Sequence, residues 1–424
     1  MKTKSIFSTF PFILTLIVWC SFSSCLKESC EKTSYYKLFT PVYMSYEGLR
    51  ASIKSMPPVP LKETGKIYFK YPYLYVNEID LGIHVIDNSN PLSPQNIAFI
   101  NIPGNVDIAI KGNILYVDSY IDLVAIDISN VSNITEVKRF TEVFPNRNYG
   151  SGFNYDPAKG VIVNWVERDT VVKGDCANNS TIFFGNESIG VQFDGSTFGS
   201  SVNSPGNGIA GSTAKFALVE SYLYCLTNND MQLFNVSSPE SPVQGNAIQM
   251  SGSIETIFPY EDYLFIGSKD GVYIYDNTNP TAPTYLTQFV HSYVCDPVVV
   301  SNDIAYSTLR SGNTCNGFTN QLDIIDVSDM AAPKLIKSYD MTNPFGLGID
   351  GDLLFVCDGP DGLEMYDVSD SQNIILLQTV ALQNPIDVIP LNGLLIVVTD
   401  KEFYQFDYTT GSLVQLSSMS RNQL

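Results

Sequence analysis

The chain has 424 residues, of which 44% are hydrophobic and only 16% are charged. The 44 acidic residues outnumber the 24 basic residues, and the resulting net charge of -20 argues against nucleic acid and anionic lipid head groups as partners. Aromatic residues make up 12% of the chain, which excludes a disordered protein. The chain has only two histidines, which argues against histidine-based catalysis and against a histidine-rich metal site.

Residues 1–24 have the pattern of an export signal. A start with two lysines is followed by an apolar stretch from Phe10 to Trp19. This stretch is shorter than the roughly 20 residues that a membrane-spanning helix needs. The sequence therefore predicts a protein that is exported and not held by a transmembrane helix.

The signal ends in Phe22-Ser23-Ser24-Cys25, which resembles the lipobox of bacterial lipoproteins. The resemblance implies that Cys25 carries a lipid and that the lipid anchors the protein in the outer membrane of the cell envelope. The protein could then face either the periplasm or the cell surface. The alternative is a plain secretory signal followed by an incidental cysteine. Residues 25–64 are then expected to be a tether and lead-in segment.

A short apolar motif that ends in an acidic residue or Asn recurs along the rest of the chain. Its first and fourth positions are always apolar, as expected of a strand packed between neighbouring sheets. Its second position varies from His84 to Gln232 and Glu364, which predicts exposure at a sheet edge. The seven copies are Ile83–Asp87, Leu123–Asp127, Met231–Asn235, Val272–Asp276, Leu322–Asp326, Leu363–Asp367 and Phe403–Asp407.

A second apolar motif, such as Leu74-Tyr75-Val76, precedes the end of the first by a nearly constant interval in six copies. In the fifth copy the interval from Ala305 to Asp326 is longer, because an insertion that carries Cys315 intervenes. Two strands separated by a few polar residues predict a hairpin. Asn, Ser and Pro follow the acidic residue, so its carboxylate is expected to accept hydrogen bonds in a turn rather than to do chemistry.

The acidic or Asn residues that end the first motif recur at a regular interval. A period of about 40 residues with four short strands per unit predicts an all-β, seven-bladed β-propeller over residues 65–424. The longest interval, from Asp127 to Asn235, contains one period and an insertion, residues 146–212, between blades two and three. An eighth, degenerate blade within this insertion is the alternative.

The stretches Leu123–Asp127, Leu322–Asp326 and Ile83–Asp87 resemble the LVIVD repeat of bacterial envelope β-propellers. The resemblance runs from about Gly65 to the end of the chain and implies a propeller, without implying a defined biochemical role. The sequence departs from the pattern at Asn235, at the missing Pro after Asp127, and in the insertion.

The strand connections of irregular length are expected to lie on one face of the propeller. With strands a to d running outward in each blade, the d–a and b–c connections share a face, and both insertions lie in such connections. Long loops on a rigid scaffold commonly bind partners. The alternative is that they are surface loops that have varied in length without a function. Trp165, the only Trp after the signal, is a candidate anchor for a sugar or a partner side chain, or else packs internally.

The insertion itself contains two stretches with strand character, Val161–Val166 and Ile182–Phe184. Its end, Asp194 to Ser212, is rich in Gly and Ser and is expected to be mobile. Cys295 and Cys315 are both predicted on the insertion-bearing face, which favours a disulfide that would contribute about 3 kcal/mol. Other pairings of the six cysteines after Cys25 stay open.

Acidic residues recur near the start of strand a, which lines the central channel of a propeller. Asp107, Glu255, Asp296 and Asp387 each lie eight or nine residues before the strand-b motif. A carboxylate ring at the channel mouth could bind Ca²⁺ or Mg²⁺, but no calcium-binding loop motif is present. The simpler interpretation is that these carboxylates cap loops in solvent.

Enzyme motifs are weak in this sequence. No serine-hydrolase, zinc-protease or phosphate-binding motif occurs. Ser212-Thr213-Ala214-Lys215 matches Ser-x-x-Lys without the companion motifs of that chemistry, so the match is attributed to chance. The sequence thus favours a non-catalytic envelope scaffold for an envelope protein or a glycan, with no required cofactor. The alternative is a hydrolase of glycans or peptides that uses acids at the channel mouth.

Overall fold

The computed structural model describes residues 31–62, 64–147, 149, 153, 155–175, 199–200, 209–227, 229–250, 254–290, 297–311 and 319–420. The chain divides into two compact units, of which the first comprises residues 1–42, 149–156 and 164–192. The second comprises residues 43–148, 157–163 and 193–424 and contains the propeller. No helix in the described part of the chain combines the length and hydropathy of a membrane span.

The chain enters the propeller through a lead-in and two complete blades. The lead-in consists of β1 (Glu31–Met44), helix α1 (Tyr46–Arg50) and β2 (Lys54–Met56). Blade one consists of β3 (Thr64–Lys70), β4 (Tyr73–Glu78), β5 (Gly82–Asp87) and β6 (Gln95–Asn101). Blade two consists of β7 (Ile108–Lys111), β8 (Ile114–Ser119), β9 (Asp122–Asp127) and β10 (Thr135–Phe140).

The described residues of the connection from blade two to blade three form a 3-10 turn (Pro157–Lys159) and four strands. These are β11 (Val161–Asp175), β12 (Gly199–Ser200), β13 (Ile209–Ala210) and β14 (Ser212–Thr213). The long strand β11 pairs with β1, and β12 pairs with β14. The predicted strand at Val161–Val166 is therefore present, whereas the one at Ile182–Phe184 lies outside the described residues.

Five further blades complete the ring, each formed by four consecutive antiparallel strands. Blades three and four comprise β15 (Phe216–Val219), β16 (Tyr222–Leu226), β17 (Asp230–Asn235), β18 (Val243–Gln249), β19 (Ile254–Tyr260), β20 (Tyr263–Ser268), β21 (Gly271–Asp276) and β22 (Thr284–Val290). Blade five comprises β23 (Val298–Ser301), β24 (Ile304–Leu309), β25 (Gln321–Asp326) and β26 (Lys334–Asp340). Blades six and seven comprise β27 (Leu347–Asp350), β28 (Leu353–Asp358), a 3-10 turn (Gly359–Asp361), β29 (Gly362–Asp367), β30 (Ile375–Val380), β31 (Pro385–Leu391), β32 (Leu394–Thr399), β33 (Glu402–Asp407) and β34 (Val414–Ser420). The predicted seven-bladed β-propeller is confirmed.

The core lies between neighbouring blades rather than at a single centre. Buried side chains of blades one, two and three form one cluster, and those of blades four, five and six form another. The second motif position, predicted to be exposed, is instead buried at His84, Asp323 and Glu364. The prediction is wrong at these three positions, because each side chain there packs on or hydrogen-bonds to groups of its own blade. His84 Nε2 lies 2.7 Å from Glu78 Oε2, and the hydroxyl of Ser338 donates to Asp323.

The ring closes without exchanging a strand between its two ends, because blades one and seven are each formed from consecutive strands. Their contact is apolar, with Ile67 and Val76 facing Ile396 and Phe403 in one buried cluster. A reciprocal amide pair reinforces it: the Asn88 amide donates to Gln405 Oε1 at 2.8 Å, and the Gln405 amide donates to Asn88 Oδ1 at 2.9 Å.

Candidate functional site

The acidic residue of the repeat is a turn residue in all seven blades. Its side-chain oxygen accepts a hydrogen bond from the backbone N–H two residues further on, at 2.8 or 2.9 Å, in a typical Asx-turn. The residues are Asp87, Asp127, Asn235, Asp276, Asp326, Asp367 and Asp407. The repeat carboxylates therefore shape the face opposite the insertions, and Asn235 makes the same bond with an amide oxygen.

The face that carries the d–a and b–c connections holds the irregular segments. The connection from β10 to β15 spans residues 141–215, and the connection from β24 to β25 spans residues 310–320. Arg147 fixes the start of the longer connection: its guanidinium donates to Asp80 Oδ2 at 2.8 Å and lies 4.5 Å from the centre of the Tyr120 ring.

Asp107 and Asp387 occupy equivalent places at the inner strands of blades two and seven. Both are buried, and each accepts a hydrogen bond from the next backbone amide, of Ile108 and Val388 respectively, at 3.0 Å. Both lie eight residues before the strand-b motif, so the shared spacing gives a shared side-chain direction. The structure thus brings two of the four predicted carboxylates to corresponding positions.

Residues 209–215, which include the end of the insertion and the three residues after it, bind these carboxylates, and we call them the crossing segment. The Thr213 hydroxyl donates to Asp387 Oδ2 at 2.8 Å, and the Lys215 backbone N–H donates to Asp107 Oδ2 at 2.6 Å. Asp107 Oδ2 also pairs with the buried ammonium of Lys66. Instead of facing an open channel mouth, the two carboxylates are engaged by groups of the same chain.

The crossing segment bonds to further blades between these two points. β13 pairs with β3 of blade one, and Gly211 N–H donates to the carbonyl of Ile67 at 3.3 Å. The Ser212 hydroxyl oxygen accepts from the backbone N–H of Leu347 in blade six, and the Ala214 carbonyl accepts from Ile257 in blade four at 3.2 Å. One short stretch therefore contacts blades one, two, four, six and seven before it enters blade three.

Burial governs the charge state of these groups. Desolvation raises the pKa of Asp387 to about 6, although hydrogen bonds from Thr213, Val388 and Ser212 act in the opposite direction. Desolvation likewise raises the pKa of Asp118 to about 6, against hydrogen bonds from the backbone amides of Asp107 and Val106. Two buried carboxyls near the channel thus have pKa values well above that of an exposed aspartate.

Glu255 behaves differently from Asp107 and Asp387. It lies nine residues before its strand-b motif, at a register shift between β19 and β20. Its carboxylate is 3.7 Å from Lys269 Nζ, and burial raises its pKa. Asp296 lies outside the described residues. Across the described ranges no group of three His, Cys, Asp or Glu side chains is arranged to hold a metal ion.

Trp165 packs against other aromatic side chains of the insertion. Its ring centre lies 5.0 Å from that of Phe153 and 5.8 Å from that of Tyr149, both edge-to-face. Tyr155 extends the cluster through Tyr149 at 5.7 Å. The residue is therefore held in an aromatic cluster within its own unit, with part of its surface accessible.

The predicted disulfide partners, Cys295 and Cys315, lie outside the described residues, as does the predicted lipidation site Cys25. Cys225 and Cys357 are buried free thiols. Burial raises the pKa of both thiols well above that of free cysteine, and Asp107 and Asp387 respectively contribute to this shift. Both cysteines thus lie near the two carboxylates that the crossing segment binds.

Sequence reasoning missed the crossing segment, which it described as mobile and as a chance Ser-x-x-Lys match. Gly211 to Ala214 are in fact buried, so the expectation of mobility, which ended at Ser212, is wrong for Gly211 and Ser212. The sequence feature that could have indicated the crossing segment is a run of small residues directly before a strand that lines the channel. A side chain at Gly211 would overlap the Asp387 carboxylate, which explains why this position has none.

Fold and site together define a seven-bladed β-propeller with a channel mouth crossed by its own chain. The chain carries LVIVD repeats: the sequence model of the LVIVD repeat matches residues 104–142, 251–290 and 314–341, which confirms the resemblance seen in the sequence. No curated protein matches the sequence.

Two solved structures are similar over almost the whole chain. One is the periplasmic gluconolactonase PpgL of Pseudomonas aeruginosa, with 12% identity, a TM-score of 0.50, and coverage of 91% of this chain and 96% of that one. The other is Sqt1 of Saccharomyces cerevisiae, with 9% identity, a TM-score of 0.50, and coverage of 90% and 89%. At this identity the likeness concerns the fold alone.

Proposed function

We propose that the protein is a non-catalytic binding module of the cell envelope, lipid-anchored through Cys25, that binds an envelope protein or a glycan through the insertion-bearing face. The observation that carries the proposal is the engagement of Asp107 and Asp387 by the chain's own residues. The connection between blades two and three, with Trp165 in it, offers a surface for a partner.

The occupied carboxylates count against a hydrolase at the channel mouth. A general acid or base needs an oxygen directed at the substrate or at a water molecule. Each oxygen of Asp107 already accepts a hydrogen bond, from Ile108 on one side and from Lys66 and Lys215 on the other. The two oxygens of Asp387 accept from Val388 and Thr213.

The test compares partner capture by two variants. In one, residues 164–192 are replaced by a short Gly-Ser linker, which keeps the crossing segment and the propeller unit intact. In the other, Asp107→Asn is combined with Asp387→Asn. Crosslinking in intact envelopes should capture a specific partner with the natural chain and with the double variant, but not with the linker variant.

The opposite result separates the two functions. Turnover of a glycan or peptide substrate that the double variant loses, with folding preserved by circular dichroism, would establish the hydrolase instead. Equal capture by the natural chain and the linker variant would move the binding surface away from the insertion.

A further inference from the structure

We propose that the channel mouth is a binding site for an extended peptide, and that residues 209–215 occupy it as an intrachain ligand that closes it to others. The proposal goes beyond the binding function proposed above, because it concerns the channel mouth and not residues 164–192. It rests on the crossing segment and on the ring groups that bind it.

The crossing segment is bound in the manner of a peptide that adds to a sheet edge. β13 pairs antiparallel with β3, with Ile209 opposite Phe69 and Ala210 opposite Tyr68. β3 is the inner strand of blade one, and β4 already pairs with its other edge. Backbone pairing with a free inner edge is the mode by which sheets take up extended peptides.

The next residues provide specificity beyond backbone pairing. The Asp387 carboxylate leaves room only for glycine at position 211 and accepts the hydroxyl of Thr213. The Leu347 amide donates to the hydroxyl oxygen of Ser212. The site therefore selects a glycine followed by two hydroxyl-bearing residues.

The ring groups that bind this segment require a polar partner. Asp387 is 1% exposed and Asp107 is 3% exposed, so loss of the segment would remove the Thr213 donor from the one and the Lys215 donor from the other while both carboxylates stay buried. The amides of Leu347 and Ile257 would lose their acceptors at the same time. An unpaired buried polar group is costly, so an emptied mouth is expected to favour another extended peptide.

The crossing segment also differs from the strands of the blades. Blade one has four strands of its own without β13, and blade three begins only at Phe216. The segment bonds to five blades besides blade three, whose Leu226 amide donates to the Lys215 carbonyl at 2.8 Å, but it supplies none of the four strands of any blade, as expected of a ligand rather than of a repeat.

The test weakens the binding of the segment and then offers a replacement. Thr213→Val removes the hydroxyl that donates to Asp387 with little change in volume. Hydrogen exchange of the Leu347 and Ile257 amides, read by mass spectrometry, is expected to become about tenfold faster, as for loss of one hydrogen bond to a charged group. Adding the free peptide Ile-Ala-Gly-Ser-Thr-Ala-Lys should restore the slow exchange in this variant.

Three controls make the result specific. Thr213→Ser keeps the hydroxyl and should retain the slow exchange. Thr278→Val removes a matched Thr–Asp bond, from the Thr278 hydroxyl to Asp276 at 2.7 Å, in a turn on the opposite face and should leave the Leu347 and Ile257 amides unchanged. Alkylation of Cys225 and Cys357, located by peptide mapping, should rise in Thr213→Val alone.

The proposal is overturned by unchanged exchange at Leu347 and Ile257 in Thr213→Val, or by equal acceleration in the outer strands of all blades. It is also overturned if the free peptide does not restore slow exchange at millimolar concentration. None of these results bears on partner capture through residues 164–192, so failure here is distinguishable from failure of the proposed function.

Discussion

Asp118 and Asp387 carry raised pKa values of about 6 in the folded protein. An aspartate in the unfolded chain titrates near pH 4. A raised folded-state pKa means that the folded protein binds the proton more tightly, so each group contributes most to stability below about pH 4. That contribution is lost as the pH rises through about 6.

The carboxylates of the turn residues have the opposite effect on how stability depends on pH. The pKa values of Asp87, Asp276 and Asp326 are lowered, because the Ser or Thr two residues further on donates hydrogen bonds to the carboxylate. Their contribution is present above about pH 4 and is lost as the pH falls through the folded-state pKa. The two sets together place the stability maximum on the acidic side of neutrality.

We therefore expect the melting temperature to rise between pH 7 and pH 5 and to fall below pH 4. A shift of about two pKa units corresponds to on the order of 3 kcal/mol for each buried group. Asp387→Asn removes one titrating group and should flatten the rise, measured by thermal unfolding across this pH range. Asp326→Asn is the control, because an amide makes the same turn bond at Asn235. The melting temperature of this variant should rise between pH 7 and pH 5 as much as that of the natural chain. An unchanged slope in Asp387→Asn would show that its carboxyl does not titrate in this range.

At the scale of elements, the sequence predicts the strands that repeat. Strands b and c of each blade are apolar and recur in step along the sequence, so their pairing follows from periodicity. The very short strands β13 and β2 could not be found in this way, because their conformation depends on the strand edges that they pair with. β2 covers the outer edge of blade one, with Lys54 opposite Asn101 and Met56 opposite Phe99.

The candidate site was predictable in part for the same reason. A spacing of eight or nine residues singled out four candidate channel residues, of which Asp107 and Asp387, both at eight, share the bond to the next amide. Their partners could not be predicted. Thr213 is 174 residues from Asp387, and no local pattern encodes a bond across the ring.

The lead-in is fixed to blade two by a buried carboxylate. Arg50 of α1 donates to Asp122 at 2.9 Å, and Arg139 donates to the same oxygen at 3.1 Å. Although burial alone would raise it, the pKa of Asp122 is lowered by the hydrogen bonds from Arg50, from the Glu142 amide and from Arg139. Asp122 therefore joins the lead-in, strand β9 and the start of the long connection.

Asp122→Ala is expected to destabilise the protein by about 3 kcal/mol, because it leaves two guanidinium groups without their shared partner. Arg50→Ala should cost less, since the Arg50 side chain is one-third exposed and Arg139 still compensates the carboxylate. Urea unfolding measures both values. Equal, small losses for the two variants would show that the lead-in is not held by this cluster.

At the scale of the whole molecule, the regular period of the repeat predicts the number of blades but not how the ring closes. Closure depends on contacts between the two ends of the repeat array, where blade one meets blade seven. The Thr64 hydroxyl donates to the carbonyl of Thr399, and the Asn88–Gln405 amide pair lies in the same contact. Because no strand is exchanged between them, the first and last blades are held together by side-chain contacts and by the crossing segment, which bonds to both.

This closure gives a prediction for the whole ring. Gln405→Ala leaves the buried amide of Asn88 without its partner and is expected to cost about 2 kcal/mol, because an unpaired buried polar group bears its full desolvation penalty. Tyr224→Phe is the matched control, since it removes a hydrogen bond to Asn277, the corresponding residue of blade four, at an interface away from the ends. Hydrogen exchange should accelerate first in β4 and β32 of Gln405→Ala, and in β16 and β20 of Tyr224→Phe. Acceleration spread evenly over all seven blades in Gln405→Ala would contradict this, because it would mean that the ring unfolds as one unit and that the contact between its ends is no weaker than the others.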